Sequence, residues 1–373
     1  MRKLLLLVAT LAFGSAFAQD YVMGIVFDAG GKFDGSFNEG TWRGMVQAIE
    51  ALESDFEIEL IEFEGTPDTS AEGHRRIAAE GAELIVGPGF AQADGISAAA
   101  SEFPDTNWVF IDGWPLGDNV RAVAFKEHER SFLVGYIAGT LTQTGVVGFV
   151  GGMDIPLIRK FNLGYEEGVK AACEGCTIVS NYVGVTPSAW NDPARAKELA
   201  TTQRAQGADI IYAAAGASGN GVIDFVNEKM CYTPSGSQRL TPLASILDSA
   251  EFSPQYTDAC GSDSEPLFFI GVDSNQNFRG DTDGNPSTLN HGLTSMLKRV
   301  DVAAGNAVMD IVSGEFTGGF QVLGLADNGV GYAVDEYNEA LLPQTLITSL
   351  ELISTLTVSY THLRAHETDS YLV

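Results

Sequence analysis

Residues 21–52 read YVMGIVFDAGGKFDGSFNEGTWRGMVQAIEAL: an apolar run, a glycine-rich turn, then a helical pattern. Residues 145–168, GVVGFVGGMDIPLIRKFNLGYEEG, repeat that text: strand, glycine-rich turn, aromatic, helix. A continuous apolar strand followed by an amphipathic helix is the unit of a parallel sheet covered on both faces. Further candidate strands are EIELIEF, ELIVG, NWVFID, CTIVSNYVG, DIIYAAA and LFFIGVD. Helical segments such as SAEGHRRIAAEG, ADGISAAASEF and PARAKELATTQRAQG lie between them. One series of strand–helix units fills roughly 21–112 and a second fills roughly 145–273, so the fold class is α/β with two lobes, each a parallel sheet covered by helices.

Ligands of such lobes bind outside the carboxyl ends of the strands. That rule puts Asp28–Asn38, Gly87–Asp94, Asp112–Trp114, Gly151–Phe161, Val185–Asp192, Gly216–Gly221 and Asp273–Gln276 on one rim of a cleft.

The chain has 373 residues, ample for two cores, and a formal net charge of −28. So acidic a chain does not build a nucleic-acid groove, which needs clustered Lys and Arg. Residues 1–18 read as a signal peptide: Arg2 and Lys3, then the apolar LLLLVATLAF, then Ala16-Phe17-Ala18. Cleavage after Ala18 would start the exported chain at Gln19; no cysteine stands there for a lipid anchor, and the expected location is periplasmic. Export makes disulfides the expected use of the four cysteines. Cys231 and Cys260 bracket a Pro-, Ser- and Gly-rich surface insertion at 229–266, while Cys173 and Cys176 are close enough for a tight ring, formed or left reduced. The stretch RGDTDGNPSTLN resembles a calcium loop, but Gly284 is misplaced and no glutamate closes it, so no metal is expected. The last thirty residues, 344–373, are Thr- and Ser-rich and read as a disordered or foreign tail.

No dinucleotide fingerprint, P-loop, G-x-S-x-G or H-E-x-x-H occurs. His74 and His128 fall in charged segments and read as solvated. Catalysis therefore has no positive sign and no cofactor is implied. The rim instead offers rings and hydrogen-bonding groups: Phe37, Phe90, Trp114, Phe161 and Trp190 with Asp28, Asp34, Asn38, Asp112, Asn191 and Asp273. A ring from each lobe suits a planar heterocycle, and ionised aspartates suit diol or N–H donors. Together these describe a nucleoside better than a sugar or an amino acid.

The ordered motifs GGKFDGSFNEGTWRG, VGPGFAQAD, VGFVGGMDIPLIRKFNLGYEEGV, NDPARAKELATTQRAQGADIIYAAAGASGNGV, FIGVDSNQ, TSMLKRVDVA and NGVGYAVDEYN resemble the basic membrane protein (BMP) family over about 21–343. These are substrate-binding components of ABC importers for purine and related nucleosides. The resemblance implies a type I periplasmic binding protein whose chain crosses a three-strand hinge. Lobe one would comprise 20–126 plus 275–315, and lobe two 127–274 plus 316–343. It implies Phe37 and Trp190 as the opposed stacking rings, where the family more often has Phe at the second. Asp34 and Asn38 lie beside Phe37, Gly216 lets backbone approach the ligand, Asp112 ends a rim strand, and Asp273 pairs with Lys298 to hold the ribose. The implied partners are a nucleoside and an inner-membrane ABC permease, with the protein itself monomeric. Rival readings are a binding protein for a sugar, autoinducer or riboflavin-like ring, and a nucleoside-processing enzyme.

Overall fold

The computed structural model describes residues 20–236 and 238–360. The signal-peptide reading, the cleavage point and the tail beyond Tyr360 lie outside the described residues.

The first lobe begins with β1 (Asp20–Phe27), α1 (Phe37–Leu52), β2 (Glu57–Glu64), α2 (Ser70–Ala79), β3 (Leu84–Pro88), α3 (Ala93–Glu102), β4 (Asn107–Ile111) and β5 (Val120–Phe125). The chain then enters the second lobe with α4 (Glu127–Leu141), β6 (Val146–Met153), α5 (Pro156–Ala172), β7 (Thr177–Gly184), α6 (Pro193–Ala205), β8 (Ile210–Ala214) and α7 (Asn220–Lys229). The insertion follows as β9 (Cys231–Tyr232), α8 (Pro242–Leu247), α9 (Pro254–Ala259) and β10 (Glu265–Pro266), and then β11 (Phe268–Asp273) and β12 (Gly292–Lys298) complete the second sheet. A return to the first lobe supplies α10 (Val300–Ser313) and β13 (Gly319–Leu323), before β14 (Val330–Tyr332) and α11 (Gln344–Tyr360) end in the second.

Both sheets are six-stranded, ordered β13-β5-β4-β3-β1-β2 and β14-β12-β11-β8-β6-β7. Pairing is parallel throughout except for β14, which runs antiparallel to β12. In each sheet the strand order reverses beside the first strand, between β1 and β3 and again between β6 and β8. Helices leave on opposite faces at such a switch point, and a crevice opens at the strands' carboxyl ends. The strands are apolar enough to be buried on both faces; every residue of β3 and β11 is buried.

Three features correct the sequence reading. Residues 275–298 belong to the second lobe, because β12 pairs in parallel with β11 before the chain crosses over. Residues 316–323 belong to the first, because β13 pairs with β5. The crossings therefore fall after Phe125, after Lys298 and between Leu323 and Val330. Residues 344–360 form a helix rather than a disordered tail: Leu346 and Leu350 are buried in the main core and seat α11 on it.

The insertion is clipped by the Cys231–Cys260 disulfide, and Cys173–Cys176 is also formed. It is more than a surface loop, since Leu243 and Leu247 join the main core and Arg239 donates to the carbonyls of Gly139 and Thr142 at the end of α4. His74 is fully buried, not solvated: its Nε2 lies 2.9 Å from Gln92 Oε1, on the inner face of α2.

Candidate functional site

The cleft contains a cavity lined by residues of both lobes. The stretch quoted first forms its floor. Asp34 caps α1 from outside: Oδ1 accepts from the backbone of Ser36 (2.9 Å) and Glu39 (3.1 Å), and Oδ2 accepts from the backbone of Asn38 (2.9 Å). Four N-terminal amides of a helix lack partners within it, and an aspartate upstream supplies acceptors. The Asn38 amide donates to Asp34 Oδ2 (3.0 Å) and to Asp28 Oδ1 (2.7 Å), while its oxygen accepts from the Asp28 backbone (3.1 Å). Asp34 and Asn38 thus form a framework whose product is the orientation of Asp28. Gly30 N holds Asp28 Oδ1 as well, at 2.8 Å. Gly89, at φ 104°, keeps a side chain away from Asp28 Oδ2, which would lie 2.7 Å from a Cβ built there.

Two aspartates stand in equivalent places in the two lobes. Asp112 follows β4 at φ 59°, and Asp273 ends β11 at φ 63°. Left-handed backbone is costly for a residue with a Cβ, and such strain gathers where a side chain must point into a site. Asp273 Oδ2 accepts the Ser36 hydroxyl at 2.8 Å.

Lys298, the last residue of β12, is buried. Its Nζ donates to Asp112 Oδ1 (2.6 Å) and Oδ2 (2.7 Å) and lies 3.3 Å from Glu127 Oε1. The lysine's direct partner is therefore Asp112 and not Asp273. The sequence could not show this, since Asp112 and Lys298 are 186 residues apart and sit in different lobes. Glu127 was missed altogether. As the first residue of α4 in a charged KEHER segment it reads as an exposed helix-start acid, yet it is fully buried.

The rings surround this charge cluster. Lys298 Nζ is 5.1 Å from the Phe37 ring centre and 5.7 Å from that of Phe161. Trp190 ends a short 3-10 turn, Pro187–Trp190. The indole packs against Gly152, where a built Cβ would stand 2.3 Å from Cζ3, and Gly216 lies close to its Cε3. Phe90 opens the turn after β3. Of the residues singled out from the sequence, Asp28, Asp34, Phe37, Asn38, Phe90, Asp112, Phe161, Trp190, Gly216, Asp273 and Lys298 line the cavity, whereas Trp114 and Asn191 do not; Leu157 and Ile158 of α5 complete the wall.

Burial raises the carboxyls. Asp273 is pushed up to about 7, with Lys298 and the Ser36 hydroxyl pulling the other way. Asp34 is pushed up to about 6 against its backbone donors. Burial also raises Asp28 and Asp112, and for Asp112 the Lys298 charge opposes the rise. Burial alone would lower the Lys298 ammonium, but Asp112, Glu127 and Asp273 outweigh it and leave it raised.

Interlobe bonds hold the cleft shut. Besides Ser36–Asp273 and Asp112–Lys298, the Ser274 hydroxyl donates to Ser36 O (2.9 Å) and Gln276 Nε2 to Gly35 O (2.9 Å). A larger groove of about 930 Å³ lies on the outside of the second lobe beside α8; its carboxylates, Glu251, Glu336 and Glu339, are solvent-exposed and it lies at neither switch point.

Two α/β lobes, three crossings and a buried interlobe cavity define a type I solute-binding protein. The chain belongs to the family described as Bmp, ABC transporter substrate-binding protein PnrA-like, whose model matches residues 22–359. It is 28% identical over 330 residues to the CD4+ T-cell-stimulating antigen of Listeria innocua, covering 86% of this chain and 82% of the relative. It is 27% identical over 333 residues to the ABC transporter nucleoside-binding protein BmpA of Lactococcus lactis, covering 86% and 85%. Among solved structures it resembles an ABC transporter solute-binding protein from Aeropyrum pernix, with a TM-score of 0.66, 25% identity, and coverage of 93% of this chain and 88% of that one. The protein is an ABC transporter substrate-binding protein. Among the described residues no helix is long and apolar enough to cross a membrane.

Proposed function

We propose that the protein binds a nucleoside, with a purine base, in the interlobe cavity and delivers it from the periplasm to an ABC permease as a monomer. The observation that carries this reading is one interlobe cavity lined by four rings, Phe37, Phe90, Phe161 and Trp190, and by aspartates clustered about Lys298. Rings give a planar base a stacking surface worth about 1–3 kcal/mol. Asp273 and Asp112 accept from ribose hydroxyls, and Lys298 donates to their oxygens. Asp28, aimed by Asn38, accepts from a ring N–H. The ligand closes the hinge because only the closed state offers both lobes' contacts, so binding shifts the population toward the form a permease would read. The nucleoside-binding assignment of the Lactococcus relative supports the same ligand class.

Mass spectrometry of the small molecule released on denaturing freshly purified protein tests the reading. A nucleoside should be recovered in near-stoichiometric amount. Recovery of a sugar or a flavin would replace the reading, and conversion of added nucleoside to free base would make the protein an enzyme.

A further inference from the structure

Lys298 is the one ammonium lining the cavity among the described residues, and a buried ammonium facing a ligand ordinarily attracts phosphate. Here two carboxylates meet it, one of them shared with Lys160. Asp112 takes it through both oxygens at 2.6 and 2.7 Å. Glu127 adds a second carboxylate at 3.3 Å, although its side chain does not line the cavity. Glu127 is completely buried, and its Oε1 has no hydrogen-bond partner among the described residues; Oε2 accepts from Lys160 at 3.3 Å. Burying a carboxylate oxygen without a hydrogen bond is costly, and its neighbour here is the Lys298 charge. The lobes add a further point. Asp112 belongs to the first lobe, so hinge opening carries it away from Lys298. Glu127 opens α4 in the lysine's own lobe and stays with it. The lysine is therefore screened both in the closed cavity and in the open cleft that meets an arriving ligand.

We propose that Glu127 is a specificity-determining residue: by doubling the counter-charge on Lys298 it stops that ammonium from serving as a phosphate site, so the cleft takes uncharged nucleosides and turns away their 5′-monophosphates. This rests on the nucleoside reading above. Glu127 touches no ligand; it acts through the lysine.

The test is calorimetric titration of the full exported chain with adenosine, its 5′-monophosphate and neutral 5′-O-methyladenosine, the last controlling for bulk. Wild type should prefer adenosine to the monophosphate by about 100-fold or more. Glu127→Gln should shift that preference toward the monophosphate by about tenfold, the effect of one unit charge a few ångströms beyond the lysine. The preference over the neutral ether should not move, and Glu127→Asp should restore discrimination. If Glu127→Gln does not fold, Lys160→Gln makes the test from the other side. Lys160 is a third exposed, and its removal leaves the Glu127 charge to Lys298 alone, so monophosphate binding should weaken further relative to adenosine. A monophosphate preference unmoved in either variant, or wild type binding the monophosphate as tightly as adenosine, overturns the inference alone. No binding of any nucleoside by wild type overturns the nucleoside reading, and the inference falls with it.

Discussion

Replacing Asp273 with asparagine removes one charge and little else. Asparagine is the residue after glycine that best accepts the left-handed backbone found there, φ 63°. Its side-chain oxygen can still accept the Ser36 hydroxyl, and Lys298 keeps Asp112 and Glu127. Burial pushes the Asp273 carboxyl up to about 7, from an ordinary 3.8. A folded-state pKa above the unfolded value means that the protonated form favours the fold. That contribution is fully present below about pH 4 and is lost as pH rises through 7. A rise from 3.8 to about 7 corresponds to a ceiling of about 4 kcal/mol. Ligand hydroxyls, by contrast, need the ionised form. At pH 8 the wild type offers a buried charged acceptor worth about 1.5–3 kcal/mol, so Asp273→Asn should weaken nucleoside binding roughly 10- to 150-fold. At pH 5 the ligand must first displace a proton bound with a pKa near 7, which costs up to about 100-fold. The wild-type advantage should therefore shrink toward unity. Titration calorimetry of both proteins at pH 5, 6.5 and 8 reads this ratio. A ratio constant across that range would refute the account of Asp273.

Phe37→Ala should cost about 1–3 kcal/mol for nucleoside and free base alike, measured by competition against a fluorescent analogue, because the ring meets only the base. The double change Cys231→Ser and Cys260→Ser opens a separation of 29 residues and should lower unfolding free energy in urea by about 3–4 kcal/mol. Leu350→Ala, at a fully buried position of α11, should cost about 2–4 kcal/mol by the same measurement. A neutral result there would return α11 to the status of a dispensable tail.

The lobes were legible because buried parallel strands such as VGFVGGM and FFIGVD stand out against amphipathic helices, and because the strand–turn–helix text runs twice. The rim followed from the carboxyl-end rule, which needs only strand order. The lobe boundaries failed for a local reason. GLTSMLK is a short strand with buried Thr294 and Ser295, so it does not read as sheet core. Its polar groups are satisfied by Ala333 O and Asn277 Oδ1, partners that no spacing announces. The exposed strand GFQVL was missed likewise, since it takes its place only by pairing with a strand some two hundred residues earlier. Within the site, residue types were readable but pairing was not. Asp34 and Asn38 look like ligand-contacting groups in sequence, and the structure spends their hydrogen bonds on α1 and on Asp28. The Asp112–Lys298–Glu127 cluster joins the end of β4 to two of the chain crossings and is visible only once both lobes are in place.

The central claim is that one cavity reads base and ribose together. Protein stripped of ligand by unfolding and refolding should be titrated with a purine nucleoside, its free base and ribose. The account predicts nucleoside affinity at least about 100-fold above that of either fragment, because stacking and charge-assisted bonds each supply a few kcal/mol. Ribose or free base binding as tightly as the whole nucleoside would contradict it.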